Sequence, residues 1–173
     1  MAITKILYRN GGLRQAIDYI TNPAKTNEQL LTDYVRCNPG YAAQQMMDTK
    51  RALGKTAGRQ CYHIIQSFKP DEITPELAHE IARQFAAEHL PGYEAVIATH
   101  VDKAHIHSHI VFNSVNAVAG KMYHSTRENY YKQIRGVSDR LCKAHGLSIV
   151  LENDEKKAVS YAAVSYTHLT LPT

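Results

Sequence analysis

His100-Val-Asp102-Lys103-Ala-His105-Ile-His107-Ser-His109-Ile-Val-Phe-Asn113 gathers four of the chain's ten histidines into ten residues. From Ala104 onward imidazoles alternate with Ile, Ser and Ile. That is the two-residue period of a half-buried strand, and it predicts that His105, His107 and His109 share one face. The preceding run, Glu94-Ala-Val-Ile-Ala-Thr-His100, is apolar and β-prone, and the short link between the two runs predicts a hairpin. With an even number of loop residues His100 falls opposite His107, their Cβ atoms about 4.5–5.5 Å apart. Two strands then offer a tight cluster of imidazoles beside the Asp102 carboxylate, the donor set of a divalent-metal site.

A single strand histidine is ordinarily a packing or surface residue. Three on one face differ, because protonated imidazoles repel one another and each buried polar ring needs a partner. A structural zinc site would recruit cysteine and close with four ligands, whereas Cys37, Cys61 and Cys142 are scattered singly. Three imidazoles leave coordination positions open, so a catalytic ion ranks ahead of a structural one. Two histidines with Asp102 would suit non-haem iron. Asp102 is expected in the hairpin loop, however, where it is better placed to orient a histidine than to ligate.

Composition narrows the setting. At 173 residues, with 44% hydrophobic residues and a mean hydropathy of −0.37, the chain reads as one domain with a real core. The formal charge of +4 and pI near 8.9 suit a polyanionic partner without demanding one. Three unpaired-looking cysteines, a charged start where a secretion signal would be apolar, and no apolar run of about 20 residues predict a cytoplasmic protein with no membrane insertion.

Along the chain, Ala2–Tyr8 predicts a strand, Gly11-Gly12 a break, and Leu13–Ile20 a short helix stopped at Asn22-Pro23. Leu30–Cys37 reads as a strand, Pro39–Leu53 as a helix ended by Gly54, and Cys61–Phe68 as a strand. Thr74-Pro75 caps a helix carrying Leu77, Ile81 and Phe85 on one stripe and stopping at Leu90-Pro91-Gly92. Ser125-Thr-Arg-Glu128 fits a capping box. The helix behind it carries Tyr130, Ile134, Val137, Leu141 and Ala144, and Leu147–Leu151 is expected as a last edge strand. Strands interleaved with helices predict an α+β sandwich with a largely antiparallel sheet. From about Asn153 the character changes: a charge run precedes residues with neither helical nor strand period, resembling read-through peptide. The domain is therefore drawn over 1–152, with 153–173 a tail of non-native character.

The histidine segment resembles the third motif of the relaxases, mobilisation nucleases of the HUH endonuclease superfamily. Ala16-Ile-Asp-Tyr19-Ile-Thr-Asn-Pro-Ala-Lys25-Thr26 resembles that family's first motif, around its nucleophilic tyrosine. The tyrosine precedes the histidines, as in relaxases; in replication-initiator relatives it follows them. The single tyrosine and the extra histidine are similar to the P-type mobilisation class, over about Thr4 to Val150. The resemblance implies a five-stranded antiparallel sheet with helices on its outer side and the active site on the other. It implies Tyr19 as nucleophile, His100, His107 and His109 as metal ligands, and Asp102 as support beside the first histidine, with His105 and Asn113 as further motif positions. It also implies one divalent ion, magnesium or manganese, and single-stranded DNA at a transfer origin as substrate. Accessory mobilisation proteins and a coupling protein would be the partners. Arg9, Arg14, Lys25, Arg51, Lys55 and Arg59 are candidate DNA contacts, with Arg51–Arg59 the densest cluster. Tyr130 and Tyr131 rival Tyr19, since adjacent tyrosines on a later helix are what replication-type enzymes use; Tyr130 falls on the apolar stripe and Tyr131 is the more exposed. A replication-initiator-like nuclease and a non-catalytic metal- or DNA-binding module are the competing readings.

Overall fold

The computed structural model describes residues 2–150. Five strands form one antiparallel sheet: β1 (Ile3–Arg9), β2 (Thr32–Val35), β3 (Cys61–Ser67), β4 (Ala95–His100) and β5 (His107–Asn113), in the order β1-β3-β5-β4-β2. The helices are α1 (Leu13–Ile20), α2 (Ala42–Ala52), α3 (Pro75–His89), α4 (Arg127–Asn129) and α5 (Gly136–Ala144). The expected α+β sandwich, a five-stranded antiparallel sheet with helices packed on it, is the fold present.

The central strands β3, β4 and β5 are buried nearly throughout, so both sheet faces are covered along much of their length. On one face Tyr62, Ile64, Ile97, Ile110 and Phe112 meet Ile81, Phe85, Ile134 and Leu141 from α3 and the C-terminal helical segment. The other face carries the histidines. There Cys61, Val96, Ala98 and Val111 are covered by Leu13, Ile17 and Ile20 of α1 and Met46 of α2. Helices therefore stand on both sides: the broad layer lies on the outer side, and the shorter α1 and α2 lie beside the histidines.

Local chemistry explains most element ends. Thr74 caps α3 by accepting the Leu77 amide at 3.2 Å, with Pro75 at the first helical position. Gly92 turns the chain from α3 into β4 at φ +85°, and a Cβ there would sit 2.5 Å from Asn116 Oδ1, so any other residue would strain the backbone and displace the Asn116 side chain. Two expectations shift. The N-cap of α4 is Thr126, which accepts from the Asn129 amide at 3.0 Å, one residue beyond the expected Ser125. The helix then widens into a π turn over Tyr130–Arg135. That turn keeps residues four apart in line: the Tyr130 hydroxyl donates to Thr4 O (2.7 Å), Ile134 is buried, and Ser138 bonds Thr4 Oγ1 (2.7 Å) and Gln66 (2.9 Å). The edge strand expected over Leu147–Leu151 reduces to a single parallel bridge between Ala2 and Ile149 among the described residues. The domain limit at 152 and the tail beyond it lie outside them.

Behind the histidine face a buried polar chain pins the hairpin. Asp33 of β2 bonds His79 of α3 (2.7 Å), and His79 bonds Thr99 (3.0 Å). Thr99 meets its cross-strand partner Ser108 (2.9 Å), whose hydroxyl donates to Ala78 O (3.2 Å). Thr99 and Ser108 are fully buried, so these groups have no water to fall back on. Thr99→Val keeps the shape and removes the shared hydroxyl. It is expected to lower stability by about 1–3 kcal/mol, read as a lower urea midpoint at unchanged slope.

Candidate active site

The six-residue loop of residues 101–106 satisfies the even-number rule, and His100 pairs directly with His107 across β4 and β5. The period of two then sets His100 and Ala98 of β4, His107, His109 and Val111 of β5, and His63 and Ile65 of β3 on one face. The rings of His100 and His109 are 4.1 Å apart between centroids, and those of His107 and His109 are 6.4 Å apart. His105 belongs to the loop rather than the strand, because the chain is still reversing direction there. Its ring nevertheless lies 4.8 Å from that of His107.

Tyr19 comes from α1, whose buried stripe is Leu13, Ala16, Ile17 and Ile20. This seats Tyr19 at the edge of the packed face, half-buried, with its ring edge-on to His100 (5.7 Å) and to His109 (6.3 Å). Lys25 Nζ stands 4.9 Å from the Tyr19 ring centroid and 3.4 Å from Asp102 Oδ2. Sequence reasoning expected the Asp102 carboxylate to support a histidine; here its partner is Lys25, which a carboxylate in the loop meets first.

The histidines find other partners. His100 Nε2 lies 2.9 Å from Ile20 O, and His109 Nδ1 lies 2.8 Å from His63 Nε2. His100 and His109 thus each have one nitrogen engaged by a neighbour, the pattern in which imidazoles ligate metals through the other. Burial is the first cause holding all of them neutral. His107 is pushed down to about 4 by burial and then by neighbouring His105 and His100. His63 falls to about 3 by burial, then Arg9, His109 goes well below its ordinary value, and His100 is lowered as well. Neutral imidazole is the ligating form. Among the described residues no three His, Cys, Asp or Glu side chains are already closed round one point. The donor set itself, three neutral imidazoles on facing strands, fits one divalent ion.

His63 escaped the sequence reading. The segment Cys61–Phe68 reads as a strand from its sequence, but only the β3–β5 pairing brings its histidine to the cluster. Asn113 goes the other way. It lies six residues along β5 from His107 and donates to Met46 O (3.1 Å) and Glu94 Oε1 (3.0 Å), tying α2 to the sheet rather than joining the site. Of the basic candidates, Lys25 is at the site, and Arg14 lines a groove of about 560 Å³ between α1, β2 and α2. Arg9 donates to Gly12 O (3.2 Å). The Arg51–Arg59 cluster lies toward the sheet end where Cys61 pairs with Arg9 and Asn113, opposite the end where His107 meets Ser67. There Arg51 is paired with Asp48 (3.0 Å), Lys55 is exposed, and Arg59 stacks on Tyr8 (3.9 Å). Tyr130 and Tyr131 sit on the helix packed against the sheet's opposite face, the first bonded to Thr4 O and the second flanked by Arg127 and Arg135.

A five-stranded antiparallel sheet with a histidine row on its centre and a tyrosine brought over it from an earlier helix is the arrangement that the resemblance to the HUH-type nucleases implies. The chain belongs to the relaxase family: residues 19–147 match the family model described as "Relaxase: MobA/VirD2-like, nuclease domain". Among curated proteins it is 33% identical over 169 residues to a Protein rlx of Staphylococcus aureus, covering 98% of this chain and 48% of that protein. It is 32% identical over 192 residues to the group II intron-interrupted relaxase LtrB of Lactococcus lactis, covering 86% and 33%. The chain thus spans half or less of the length of these relatives. Two solved structures share the fold. One is a Mn-bound MobM relaxase domain in complex with a 22-nucleotide plasmid oriT DNA (TM-score 0.59, 15% identity, 86% of this chain and 88% of that one). The other is from work on vancomycin resistance transfer in Staphylococcus aureus (TM-score 0.58, 12% identity, 86% and 96%). No helix among the described residues is long and apolar enough to cross a membrane.

The depressed histidines predict a pH dependence. The unfolded chain takes up protons near pH 6.5 while the folded site refuses them until about pH 4 at His107 and about pH 3 at His63. Stability of the metal-free protein is therefore full above pH 6.5 and falls as the pH drops below it. Replacing His107 with Gln should flatten that slope in urea titrations run from pH 7 to pH 4.

Proposed function

We propose that this chain is the nicking domain of a relaxase that cuts one strand at the transfer origin of a plasmid or integrative element. The observation that carries this reading is the Tyr19 ring standing edge-on to both His100 and His109, at 5.7 and 6.3 Å. A tyrosine delivered from an independent helix to a row of neutral imidazoles has little purpose as packing alone. Family membership and the Mn-bound, oriT-bound MobM neighbour support it.

In this reading the Tyr19 hydroxyl oxygen attacks the scissile phosphorus in line. The new phosphorus–oxygen bond forms as the bond to the 3′ oxygen breaks, and the phenolic proton leaves to solvent or to the departing 3′ oxygen. The products are a 5′-phosphotyrosyl end and a free 3′-hydroxyl. One phosphodiester replaces another of similar energy, so the step reverses and strands can be rejoined. His100, His107 and His109 would hold one magnesium or manganese ion, which when bound neutralises the phosphate and favours in-line attack. Lys25 adds positive charge beside the tyrosine ring, and Asp102 compensates it in the absence of DNA; at 3.4 Å and partly exposed, that pair is weak enough to be exchanged for a phosphate. Single-stranded DNA would lie across the open histidine face, with salt-dependent affinity. Accessory mobilisation proteins and a coupling protein would complete the transfer machinery.

The replication-initiator alternative needs a nucleophile after the histidines. The tyrosines it would use lie on the opposite face, and the Tyr130 hydroxyl is already spent on Thr4 O. The test is incubation with manganese and single-stranded oligonucleotides tiling the host element, scored for SDS-resistant protein–DNA adducts. Adduct formation should vanish with Tyr19→Phe and fall by about 100-fold or more with His109→Ala, the worth of several kcal/mol of charge stabilisation. An adduct that survives Tyr19→Phe and maps to Tyr130 or Tyr131 would move the chain to the replication type. Folded, manganese-loaded protein that forms none would mark a binding module.

A further inference from the structure

His63 is a buried histidine on the site's own sheet face that the proposed reaction does not use, and its placement is specific. It stands on β3 opposite Val111, two residues off the register partner of His109, so the two imidazoles are diagonal neighbours on one sheet face. Nε2 of His63 and Nδ1 of His109 are 2.8 Å apart, a full hydrogen-bond distance. Both rings are at least nine-tenths buried, so neither nitrogen has water as a substitute partner.

Two neutral rings at that distance share a single proton, and the ring that owns it fixes the tautomer of both. We infer that His63 is a positioning residue for His109: it accepts the Nδ1–H of His109, sets that ring's rotation, and leaves Nε2 of His109 as the bare nitrogen for the divalent ion. The opposite arrangement, with His63 donating, would put the proton on Nε2 of His109 and remove that atom as a donor. Ile20 O serves His100 in the same way from the other side, so two ligands are oriented by groups from two different elements. In metal sites such outer partners are worth about 10–100-fold in affinity.

This rests on the metal reading above, and the experiment separates the two. Mn2+ alone, without DNA, is titrated calorimetrically into the wild-type chain and into His63→Leu, His63→Gln and His63→Asn, with thermal midpoints recorded for each. Leucine fills the space without an acceptor, glutamine carries an acceptor on a side chain of reach similar to histidine, and asparagine falls short. The expected result is Mn2+ affinity weakened about 10–100-fold in the leucine and asparagine variants and largely restored in the glutamine variant, whatever the order of the thermal midpoints. Should the leucine variant fail to fold, the glutamine–asparagine difference decides. Wild-type affinity in all variants, or an equal loss in all three, overturns the role of His63 and leaves the metal site standing. A wild-type chain that takes up no Mn2+ overturns the metal reading, and this inference with it.

Discussion

The register of a single antiparallel pair governs this molecule. His100 faces His107 because the loop between them has six residues. One residue more or fewer would turn one strand's imidazoles to the far face, among Ile97, Ile110 and Phe112. The sheet therefore carries a strong penalty against slippage, since the same shift that scattered the histidines would also expose that apolar set. The buried chain from Asp33 through His79, Thr99 and Ser108 to Ala78 O adds a polar lock on the reverse side of the same two strands.

Burial makes the site chemically useful and also costly. Imidazoles packed at 4–6 Å cannot all be charged, and desolvation settles the question in favour of the neutral form. Each neutral ring then needs a partner for its second nitrogen. The fold supplies one for His100 from α1 at Ile20 O and one for His109 from β3 at His63. The partner for His100 is the carbonyl of the residue next to Tyr19. The hydrogen bond that orients an imidazole therefore also holds the helix that presents the tyrosine.

The placement of α1 and α2 follows from the same logic. A sheet buried on both faces along its centre needs a second apolar layer, and Leu13, Ile17, Ile20 and Met46 provide one over Val96, Ala98 and Val111. These two helices pack on Cys61, Val96, Ala98 and Val111, and α1 reaches the histidines through Tyr19 and Ile20 O. Tyr19 stands at the helix margin with Lys25 beside it, while the basic residues between α2 and β3 remain at the other end of the sheet.

Sequence by itself determined what depends on local periodicity and residue chemistry. The alternation in β4 and β5, the helix of Leu13–Ile20 bounded by glycines and Asn22-Pro23, and the Thr74-Pro75 start of α3 were readable because cap, turn and stripe signals are short-range. The histidine pair across the hairpin was readable because loop parity is. Only the tertiary structure decided the rest, because it depends on partners distant in the chain. His63 is one strand residue among seven until β3 pairs with β5. Asn113 resembles a site residue until Met46 and Glu94 claim its amide. The π turn at Tyr130–Arg135 answers to Thr4 and Gln66 on the sheet, not to its own sequence. Asp102 pairs with Lys25, 77 residues away, since hydrogen bonds and ion pairs are awarded by proximity in space, which spacing along the chain does not encode.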